Sequence, residues 1–232
     1  IAPERLATDA FRVRLRRMNV SIIAVDEAHC ISQWGYDFRP SYLRIAEIRE
    51  HVPTAVVLAL TASATELVAK DIMQHLGFRE PHILRSSFAR PNLSYVVRHV
   101  EDKLDHVLRI IRGVEGSGIV YMRTREGCEQ LAEKLKAEGI DATFYHAGLP
   151  AMERAMRQDD WRDGKVRIIV ATNAFGMGID KADVRVVVHY TMCDSLESYY
   201  QEAGRAGRDG RRSYAVLMLS ADDATQIKRR FD

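Results

Sequence analysis

The sequence predicts an α/β protein built on parallel sheets that are flanked by helices. Short apolar runs alternate with segments of helical periodicity along the whole chain of 232 residues. Strands that alternate with helices in this way indicate parallel sheets. Several of the runs, such as 21–25 and 166–171, end directly in polar residues. Because open α/β sheets bind ligands at the carboxyl ends of their strands, these polar residues are the first candidates for a functional site.

The predicted strands are divided unequally along the chain. The first part carries about three, at 22–25, 55–60 and 82–84, which is too few for a doubly wound sheet. The second part carries about twice as many, with helices between them, which is enough for a complete domain. A polar segment that contains a proline separates the two parts and is typical of a linker. We therefore predict an incomplete first domain at 1–86, a linker at 87–92 and a complete second domain at 93–232.

Composition and cysteine usage indicate a soluble globular protein of a reducing compartment. With 47% hydrophobic and 28% charged residues, the chain has an ordinary composition, and its net charge of +2 does not by itself indicate nucleic-acid binding. The three cysteines are widely separated and form no C-x-x-C pair, so we expect reduced thiols and no zinc site. No apolar run has membrane-spanning length and the amino terminus is not signal-like, so we expect a cytoplasmic protein without a membrane partner.

Two adjacent carboxylates follow the first predicted strand. Ile22, Ile23 and Val25 are typical of a strand that is buried on both faces of a parallel sheet, and Asp26 and Glu27 come directly after it. Mg²⁺ prefers oxygen ligands, and nucleotide phosphates complete its coordination shell. Asp26 is therefore the candidate Mg²⁺ ligand, and Glu27 is the candidate residue that orients or deprotonates an attacking water. These residues alone leave open the alternative that the pair only caps the next helix.

Small polar residues and glycines follow two other predicted strands. The segment 61–65, TASAT, offers hydroxyl groups to neighbouring loops or phosphates, although a turn with a helix cap is the simpler explanation. Later in the chain, Thr172 and Asn173 suit contacts with a nucleic-acid backbone. The glycines that follow them let backbone N–H groups approach a phosphate. Asp180 at the end of this loop is a candidate acceptor for a ribose hydroxyl.

Two arginines lie three residues apart near the end of a predicted helix. Arg205 and Arg208 stand among glycines in the segment 201–210, QEAGRAGRDG. Guanidinium groups match phosphate oxygens with paired hydrogen bonds. An arginine that contacts a γ-phosphate can contribute roughly 10³- to 10⁵-fold in rate. The alternative is a basic helix end that complements the helix dipole.

Three aromatic residues and an arginine crowd the segment 32–40, SQWGYDFRP, just after the carboxylates. Exposed aromatic rings in a basic setting stack on unpaired bases, an interaction worth roughly 1–3 kcal/mol per base. The segment is therefore a candidate for binding single-stranded nucleic acid. The alternative is that Trp34 and Phe38 simply pack beneath the loop.

Together and in this order, these segments resemble the motor core of superfamily 2 helicases, and specifically the RecQ family of DNA helicases. The resemblance covers essentially the whole chain and implies a partial first RecA-like domain followed by a complete second RecA-like domain. The aromatic segment 34–40 resembles the family's loop that couples single-stranded DNA to ATP hydrolysis, and FARPN at 88–92 is similar to its inter-domain linker. The segments that resemble the family's motifs are DEAH at 26–29 (motif II, the Walker B element or DEAH box), 61–65 (III), 118–125 (IV), 172–180 (V) and 201–210 (VI).

The resemblance also implies roles for single residues. It implies that Asp26 binds Mg²⁺, that Glu27 activates water, and that Arg208 is an arginine finger with Arg205 beside it on the γ-phosphate. The residues that it implies bind the nucleotide or relay its state are His29, Ser63, Gly178, Asp180 and Gln201. The residues that it implies contact DNA are Trp34, Phe38, Arg39, Thr172 and Asn173.

The function that the resemblance implies is that of an ATP-dependent DNA helicase core. ATP and Mg²⁺ are the implied cofactors, and single-stranded DNA and duplex junctions are the implied partners. ATP hydrolysis would drive 3′ to 5′ translocation on one strand and duplex unwinding, in DNA repair and recombination. We expect a bacterial type of protein that acts in the cytoplasm on the nucleoid.

Two departures from the family pattern change what we expect of the activity of this chain. Tyr36 stands where the family usually has histidine, and a phenol does not titrate near neutral pH. The chain contains no G-x-x-x-x-G-K-[ST] phosphate loop, so we expect it to begin about halfway through the first RecA-like domain and to be inactive alone. Two alternatives remain open, a catalytically inactive nucleic-acid-binding module and an RNA helicase of the same superfamily.

Overall fold

The chain divides into two compact units. The computed structural model describes residues 1–34, 37–62, 64–176, 179–221 and 223. The first unit is Ile1–Ser87 and the second is Phe88–Asp232. The boundary between the units falls inside the segment 87–92, for which the sequence predicts a linker.

The first unit is built on a two-stranded parallel sheet. Strand β1, Ile22–Val25, pairs in parallel with β2, Val56–Ala59, so that Ile22 lies opposite Val56 and Val25 opposite Ala59. A core of apolar side chains lies beneath this sheet. The helices of the unit are α1 (Asp9–Leu15), α2 (Pro40–Leu43), α3 (Ile48–His51) and α4 (Glu66–His75), with 3₁₀ turns at Pro3–Ala7, Ala28–Ile31 and Arg44–Glu47.

Burial in this small sheet is one-sided. Ile23 and Val25 are buried, whereas Ile22 is 60% exposed and Val56 is 66% exposed. The prediction that the first strand is buried on both faces is therefore wrong for this chain. The reason is that successive side chains of a strand point to opposite faces, and the apolar core of the unit packs against one of them.

The predicted short strand at 82–84 is also wrong. This segment has no regular secondary structure. Ile83 is 51% exposed and Leu84 is 97% exposed. An apolar run of this length becomes a strand only when a neighbouring strand takes up its backbone hydrogen bonds.

The helix cap predicted at Thr65 is confirmed, since its hydroxyl oxygen accepts a hydrogen bond from the backbone N–H of Val68 at 3.3 Å.

The second unit contains a six-stranded sheet in which every pairing is parallel. Its strand order is β3-β8-β7-β4-β6-β5, so the predicted α/β architecture with parallel sheets is confirmed. The strands are β3 (Leu93–His99), β4 (Ser117–Tyr121), β5 (Ala142–Tyr145), β6 (Ile168–Ala171), β7 (Val184–His189) and β8 (Ser213–Leu219). In the described part of this unit the helices are α5 (Lys103–Gly113), α6 (Arg125–Ala137), α7 (Ala151–Arg162) and α8 (Leu196–Ala203).

The central strands of this sheet are buried on both faces. All residues of β4 and β6 are buried. One face packs against a cluster that includes Ile111 of α5 and Leu135 of α6. The other packs against Trp161 of α7, whose indole N–H donates to the carbonyl of Gly118 at 3.1 Å. Because both faces are covered, these strands are almost continuous apolar runs, and polar side chains appear where the strands end.

No helix among the described parts of the chain combines the length and the apolar composition that a membrane crossing requires. The helix α6, for example, has 13 residues and carries charged side chains along its exposed side. A membrane-spanning helix needs about 20 predominantly apolar residues.

The start of α5 gives a test of helix capping in the second unit. The carboxylate of Asp102 accepts hydrogen bonds from the backbone N–H groups of Leu104 at 2.8 Å and Asp105 at 3.0 Å. Asp102→Ala should therefore lower the free energy of unfolding by about 1 kcal/mol, measured as the shift of the urea midpoint in far-UV circular dichroism. Glu101→Ala is the matched control, because Glu101 is exposed and precedes the cap. Equal shifts for the two variants would contradict the capping role.

Candidate functional site

The two carboxylates lie at the carboxyl end of β1, on a turn that β2 holds in place. The N–H of Leu60 donates to the carbonyl of Val25 at 2.8 Å, and the N–H of Ala28 donates to the carbonyl of Leu60 at 2.9 Å. Glu27 has a φ of 50°, and among the described residues it is the one non-glycine with a positive φ. A left-handed conformation costs an ordinary residue roughly 1–2 kcal/mol. Such strain concentrates at functional positions, and here it sets the direction of the Glu27 side chain.

The side chains do not cap the following turn. Glu27 is the N-cap residue of the 3₁₀ turn Ala28–Ile31, but its side chain makes no capping hydrogen bond. Asp26 is exposed, and one of its carboxylate oxygens accepts a hydrogen bond from the N–H of Glu27 at 2.9 Å. The alternative that this pair only caps a helix is therefore wrong. Both carboxylates present oxygen atoms to solvent, which is the donor type that Mg²⁺ takes.

A buried histidine connects the loops that follow the two strands. The side chain of His29 is 2% exposed, and its Nδ1 lies 3.1 Å from the Thr61 hydroxyl and 3.4 Å from a carboxylate oxygen of Glu27. Burial lowers the pKa of His29, so the imidazole is neutral at pH 7. A predicted relay residue thus touches both the candidate catalytic carboxylate and the segment 61–65. Ser63, the other predicted nucleotide-binding residue of this unit, lies outside the described residues.

The aromatic segment presents one ring fully to solvent. Trp34 is 70% exposed, whereas Phe38 is half-buried. The guanidinium of Arg39 donates two hydrogen bonds to one carboxylate oxygen of Asp37, at 3.0 and 2.6 Å, and this bonding raises the Arg39 pKa. The indole of Trp34 is therefore largely exposed to solvent, while Arg39 is held against its own loop. Tyr36 lies outside the described residues.

In the second unit, the loop after β6 carries the predicted DNA-contacting pair. The side chain of Thr172 is buried, and its backbone N–H donates to the carbonyl of Tyr145 at 3.2 Å. Asn173 is exposed. The structure therefore leaves Asn173 exposed to solvent and uses Thr172 to join the ends of β5 and β6. Gly178, predicted to bind nucleotide, lies outside the described residues.

The candidate arginine finger forms an ion pair with the candidate ribose acceptor. Arg208 Nη1 lies 3.2 Å from a carboxylate oxygen of Asp180, and the two side chains are 41% and 85% exposed. A surface pair of this kind contributes between zero and about 1 kcal/mol. Both groups can therefore leave the pair at little cost to meet a charged ligand.

The second arginine of the pair lies deeper. Arg205 Nη1 donates to the carbonyl of Gly176 at 2.6 Å. A Cβ placed on Gly176 would clash with the guanidinium of Arg205, so a larger residue there would require the end of the Arg205 side chain to move. Arg205 thus holds the loop that follows β6, and its predicted contact with a γ-phosphate stays a prediction. Gln201 is half-buried on α8.

A pocket at the carboxyl ends of β4, β6 and β7 contains residues that the sequence did not single out. Arg123 and Asp194 form an ion pair across it, at 3.1 Å. A sequence pattern could have predicted this pocket, because polar residues follow all three strands and these strands are neighbours in the sheet. The lining residues are Tyr121, Met122, Arg123, Asn173, Thr191, Met192, Cys193, Asp194, Ser198 and Glu202.

Among the residues that the structure describes, two side-chain groups combine histidine, cysteine and a carboxylate whose ligand atoms lie within 4.8 Å of one another. In one, a carboxylate oxygen of Glu202 lies 3.0 Å from His189 Nε2 and accepts a hydrogen bond from the Cys193 thiol at 3.3 Å. The other comprises His29, Cys30 and Asp37. Zinc takes donors of these types, but hydrogen bonds to one carboxylate oxygen already account for the first group. The expectation of no zinc site, which rested on cysteine spacing, stays a prediction.

Comparison with known proteins adds to this geometry. Residues 102–210 match the family described as the helicase conserved C-terminal domain. Over 96% of its length, the chain is 42% identical to the ATP-dependent DNA helicase RecQ of Pasteurella multocida, and over 98% it is 43% identical to the ATP-dependent DNA helicase Q5 of Rattus norvegicus. The chain is a homologue of the RecQ-family ATP-dependent DNA helicases. It spans 35% of the first relative and 25% of the second.

Other relatives of this RecQ homologue agree with that result. The probable ATP-dependent DNA helicase RecS of Bacillus subtilis is 37% identical over 96% of the chain, which spans 46% of that protein. Among solved structures, Saccharomyces cerevisiae Dbp5 bound to RNA and ADP BeF3 is similar with a TM-score of 0.65 at 23% identity, over 94% of this chain and 60% of Dbp5. At this identity the likeness shows the fold alone. The second unit therefore has the fold of a helicase carboxyl-terminal RecA-like domain.

The cysteine beside the carboxylates gives a test of this environment. Burial raises the pKa of Cys30 to about 11 and that of Cys128 to about 12, and it also raises the pKa of Cys193. Because the thiolate is the reactive form, iodoacetamide at pH 8 should modify Cys30 about 10²-fold more slowly in the folded chain than in urea. Mass spectrometry of the alkylated peptides measures the rates. The rate for Cys30 in the folded chain should still rise between pH 9 and pH 10, because its pKa lies near 11. Equal rates for Cys30 in the folded and unfolded chain would contradict a buried Cys30 thiol with a raised pKa.

Proposed function

We propose that this RecQ homologue supplies part of the motor of an ATP-dependent DNA helicase, in which ATP hydrolysis drives 3′ to 5′ movement along single-stranded DNA and unwinds duplexes. The observation that carries the proposal is the contact of Glu27 with buried His29 at the carboxyl end of β1, in a chain homologous to these helicases. The relatives named above are ATP-dependent DNA helicases by name. For this chain the activity, the cofactors and the DNA substrate are part of the proposal.

The carboxylates of the first unit would handle Mg²⁺ and water. The exposed carboxylate of Asp26 would hold Mg²⁺ together with nucleotide phosphates, and the bound ion would neutralise charge on those phosphates. Glu27 would orient the attacking water and accept its proton. The neutral imidazole of His29, in contact with Glu27 and Thr61, would make the position of Glu27 depend on the loop after β2. This is how nucleotide state would reach the segment 61–65.

The exposed groups of the second unit would meet the phosphates. Arg208 would leave its weak pair with Asp180 and stabilise charge on the γ-phosphoryl group, because its guanidinium forms charge-assisted hydrogen bonds with phosphate oxygens. Asp180 would then be free to accept a hydrogen bond from a ribose hydroxyl. Arg205 would hold the loop at Gly176 and, on the family pattern, also contact the γ-phosphate. Gln201 on α8 would relay the state of the bound nucleotide to the rest of the second unit.

Trp34 and Asn173 are the best-presented candidates for contact with DNA. Trp34 is 70% exposed and would stack on an unpaired base. Asn173, exposed at the end of β6, would bond to the sugar–phosphate backbone, with Thr172 fixing its loop. Phe38 and Arg39 would complete the sensor loop. Such a set of contacts favours single strands without reading their sequence.

The 232 residues contain no G-x-x-x-x-G-K-[ST] sequence, so we propose that the chain by itself does not hydrolyse ATP. A motor that hydrolyses ATP would need a loop of this kind to hold the nucleotide phosphates. The action of the protein in the bacterial cytoplasm, in repair and recombination, is likewise a proposal, since the relatives come from both bacteria and eukaryotes.

The decisive experiment measures ATP hydrolysis by the natural full-length protein, with and without single-stranded DNA. We expect stimulation by DNA and a loss of about 10²-fold or more in Glu27→Gln, because the amide cannot accept the proton of water. Glu80→Gln is the matched control, since Glu80 is exposed in the same unit and the change removes the same charge. Activity that Glu27→Gln retains would contradict the role of Glu27.

The same assay separates the competing functions. Single-stranded RNA of the same length and sequence should stimulate hydrolysis much less than DNA. Stimulation by RNA alone would favour an RNA helicase. Binding of DNA without any hydrolysis would favour a catalytically inactive nucleic-acid-binding module.

Replacing Arg208 tests the second unit separately. Arg208→Ala should lower the rate of ATP hydrolysis by roughly 10³-fold, because an arginine on the γ-phosphate acts in the transition state. The affinity for ATP should change much less. Steady-state kinetics of the full-length protein give both quantities, with Arg98→Ala, an exposed arginine on β3, as the matched control. An Arg208→Ala protein of normal rate would remove Arg208 from the finger role.

A further inference from the structure

The segment that opens the second unit is bonded to the loop that carries Arg208. The guanidinium of Arg90 donates to the carbonyl oxygens of Gly204 at 3.4 Å, Ala206 at 3.0 Å and Gly207 at 2.7 Å. These carbonyls follow the end of α8, where backbone acceptors lack helical partners. A planar guanidinium with several fixed donors is well suited to bridge such a group.

Asn92 closes the same loop from its other side. Its side-chain amide donates to the carbonyl of Gly207 at 2.7 Å and to the carbonyl of Arg211 at 3.0 Å. The two acceptors stand on either side of Arg208 in the sequence. Asn92 therefore ties together the two arms of the loop on which Arg208 sits.

The backbone of Gly207, the residue before Arg208, is held on both sides by hydrogen bonds. The carbonyl of Gly207 accepts hydrogen bonds from both Arg90 and Asn92, and the N–H of Gly207 donates to the carbonyl of Val184 at 2.8 Å. The approach is so close that a Cβ on Gly207 would lie 2.6 Å from the Asn92 amide nitrogen. The φ of Gly207 is +62°, which also favours glycine.

The side chain of Arg208 contrasts with this fixed backbone. It is 41% exposed and paired with Asp180, which is 85% exposed. The N–H of the next residue, Asp209, donates to the carbonyl of Ala182 at 3.1 Å. The loop thus combines a backbone anchored on both sides with a guanidinium that can change partners.

We propose that Arg90 and Asn92 are positioning residues that set the backbone from which Arg208 reaches its phosphate. This rests on the proposed function, in which Arg208 stabilises charge on the γ-phosphoryl group. Arg90 and Asn92 are the third and fifth residues of the second unit, so the opening segment of that unit and the Arg208 loop form one hydrogen-bonded element. The segment FARPN at 88–92 therefore has a structural role within the second unit, in addition to its place between the two units in the sequence.

The test uses steady-state ATP hydrolysis by the natural full-length protein in the presence of single-stranded DNA. Arg90→Ala and Asn92→Ala should each lower kcat by about 10- to 10²-fold, the size of effect that a displacement of about 1 Å produces. The KM for ATP should stay within roughly twofold, because Arg208 acts in the transition state. Arg98→Ala is the matched control. A normal kcat in folded Arg90→Ala and Asn92→Ala proteins would overturn the proposal.

A double variant separates positioning from simple stabilisation of the fold. If Arg90 acts through Arg208, Arg90→Ala combined with Arg208→Ala should be no slower than Arg208→Ala alone. Losses that multiply in the double variant would overturn the proposal. If Arg90→Ala does not fold, as judged by circular dichroism, Asn92→Ala and Arg90→Lys provide the same comparison. Arg90→Lys keeps the charge but loses the planar fork, so it should also lose kcat.

Failure of this proposal is distinguishable from failure of the proposed function. Loss of activity in Arg208→Ala together with a normal rate in the Arg90 and Asn92 variants would overturn the positioning role alone. A normal rate in Arg208→Ala would overturn the finger role, and the positioning role would fall with it.

Discussion

Burial of the central strands β4 and β6 on both faces leaves these strands little room for polar side chains except where a strand begins or ends. The central strands β4 and β6 are buried throughout. Since every pairing in the sheet is parallel, the carboxyl ends of its strands meet at one edge. Asn173 and Arg123 are neighbours for this reason, although 50 positions separate them in the sequence. The loops that carry Asn173 and Arg123 depend on this edge, because each starts from a strand that cannot shift without exposing apolar surface.

The sequence was sufficient for the architecture and for the polar loops, because both follow from local patterns. Apolar runs of strand length, alternating with helices, predicted the parallel sheet of the second unit. The carboxylates stand out because they end one of those runs, and the arginines stand out because glycines frame them. Burial was harder to predict. Ile22 and Leu84 belong to apolar runs but are 60% and 97% exposed, since burial is set by what packs against a strand and not by the strand itself.

The partners of individual side chains could not be read from local patterns. Arg205 and Arg208 share one motif and one spacing, yet Arg205 bonds to the carbonyl of Gly176 and Arg208 pairs with Asp180. The difference arises because the helix end places one side chain under the loop after β6 and the other in solvent. Long-range hydrogen bonds of this kind depend on where the sheet brings distant loops together. The same applies to the contact of His29 with Thr61, across 32 positions.

The candidate catalytic groups share one physical arrangement, a fixed backbone that carries a side chain with weak or exchangeable partners. The turn at Glu27 is held by hydrogen bonds to Leu60, directly after β2, and Glu27 has a left-handed conformation, while its carboxylate stands beside a neutral histidine. The loop at Arg208 is held by Arg90 and Asn92, while its guanidinium forms a solvent-exposed ion pair. A rigid backbone limits the loss of conformational entropy when the side chain meets its ligand. Because the initial partners are weak, a side chain loses little free energy when it leaves its partner for the ligand. It can therefore change partners each time nucleotide binds and is released.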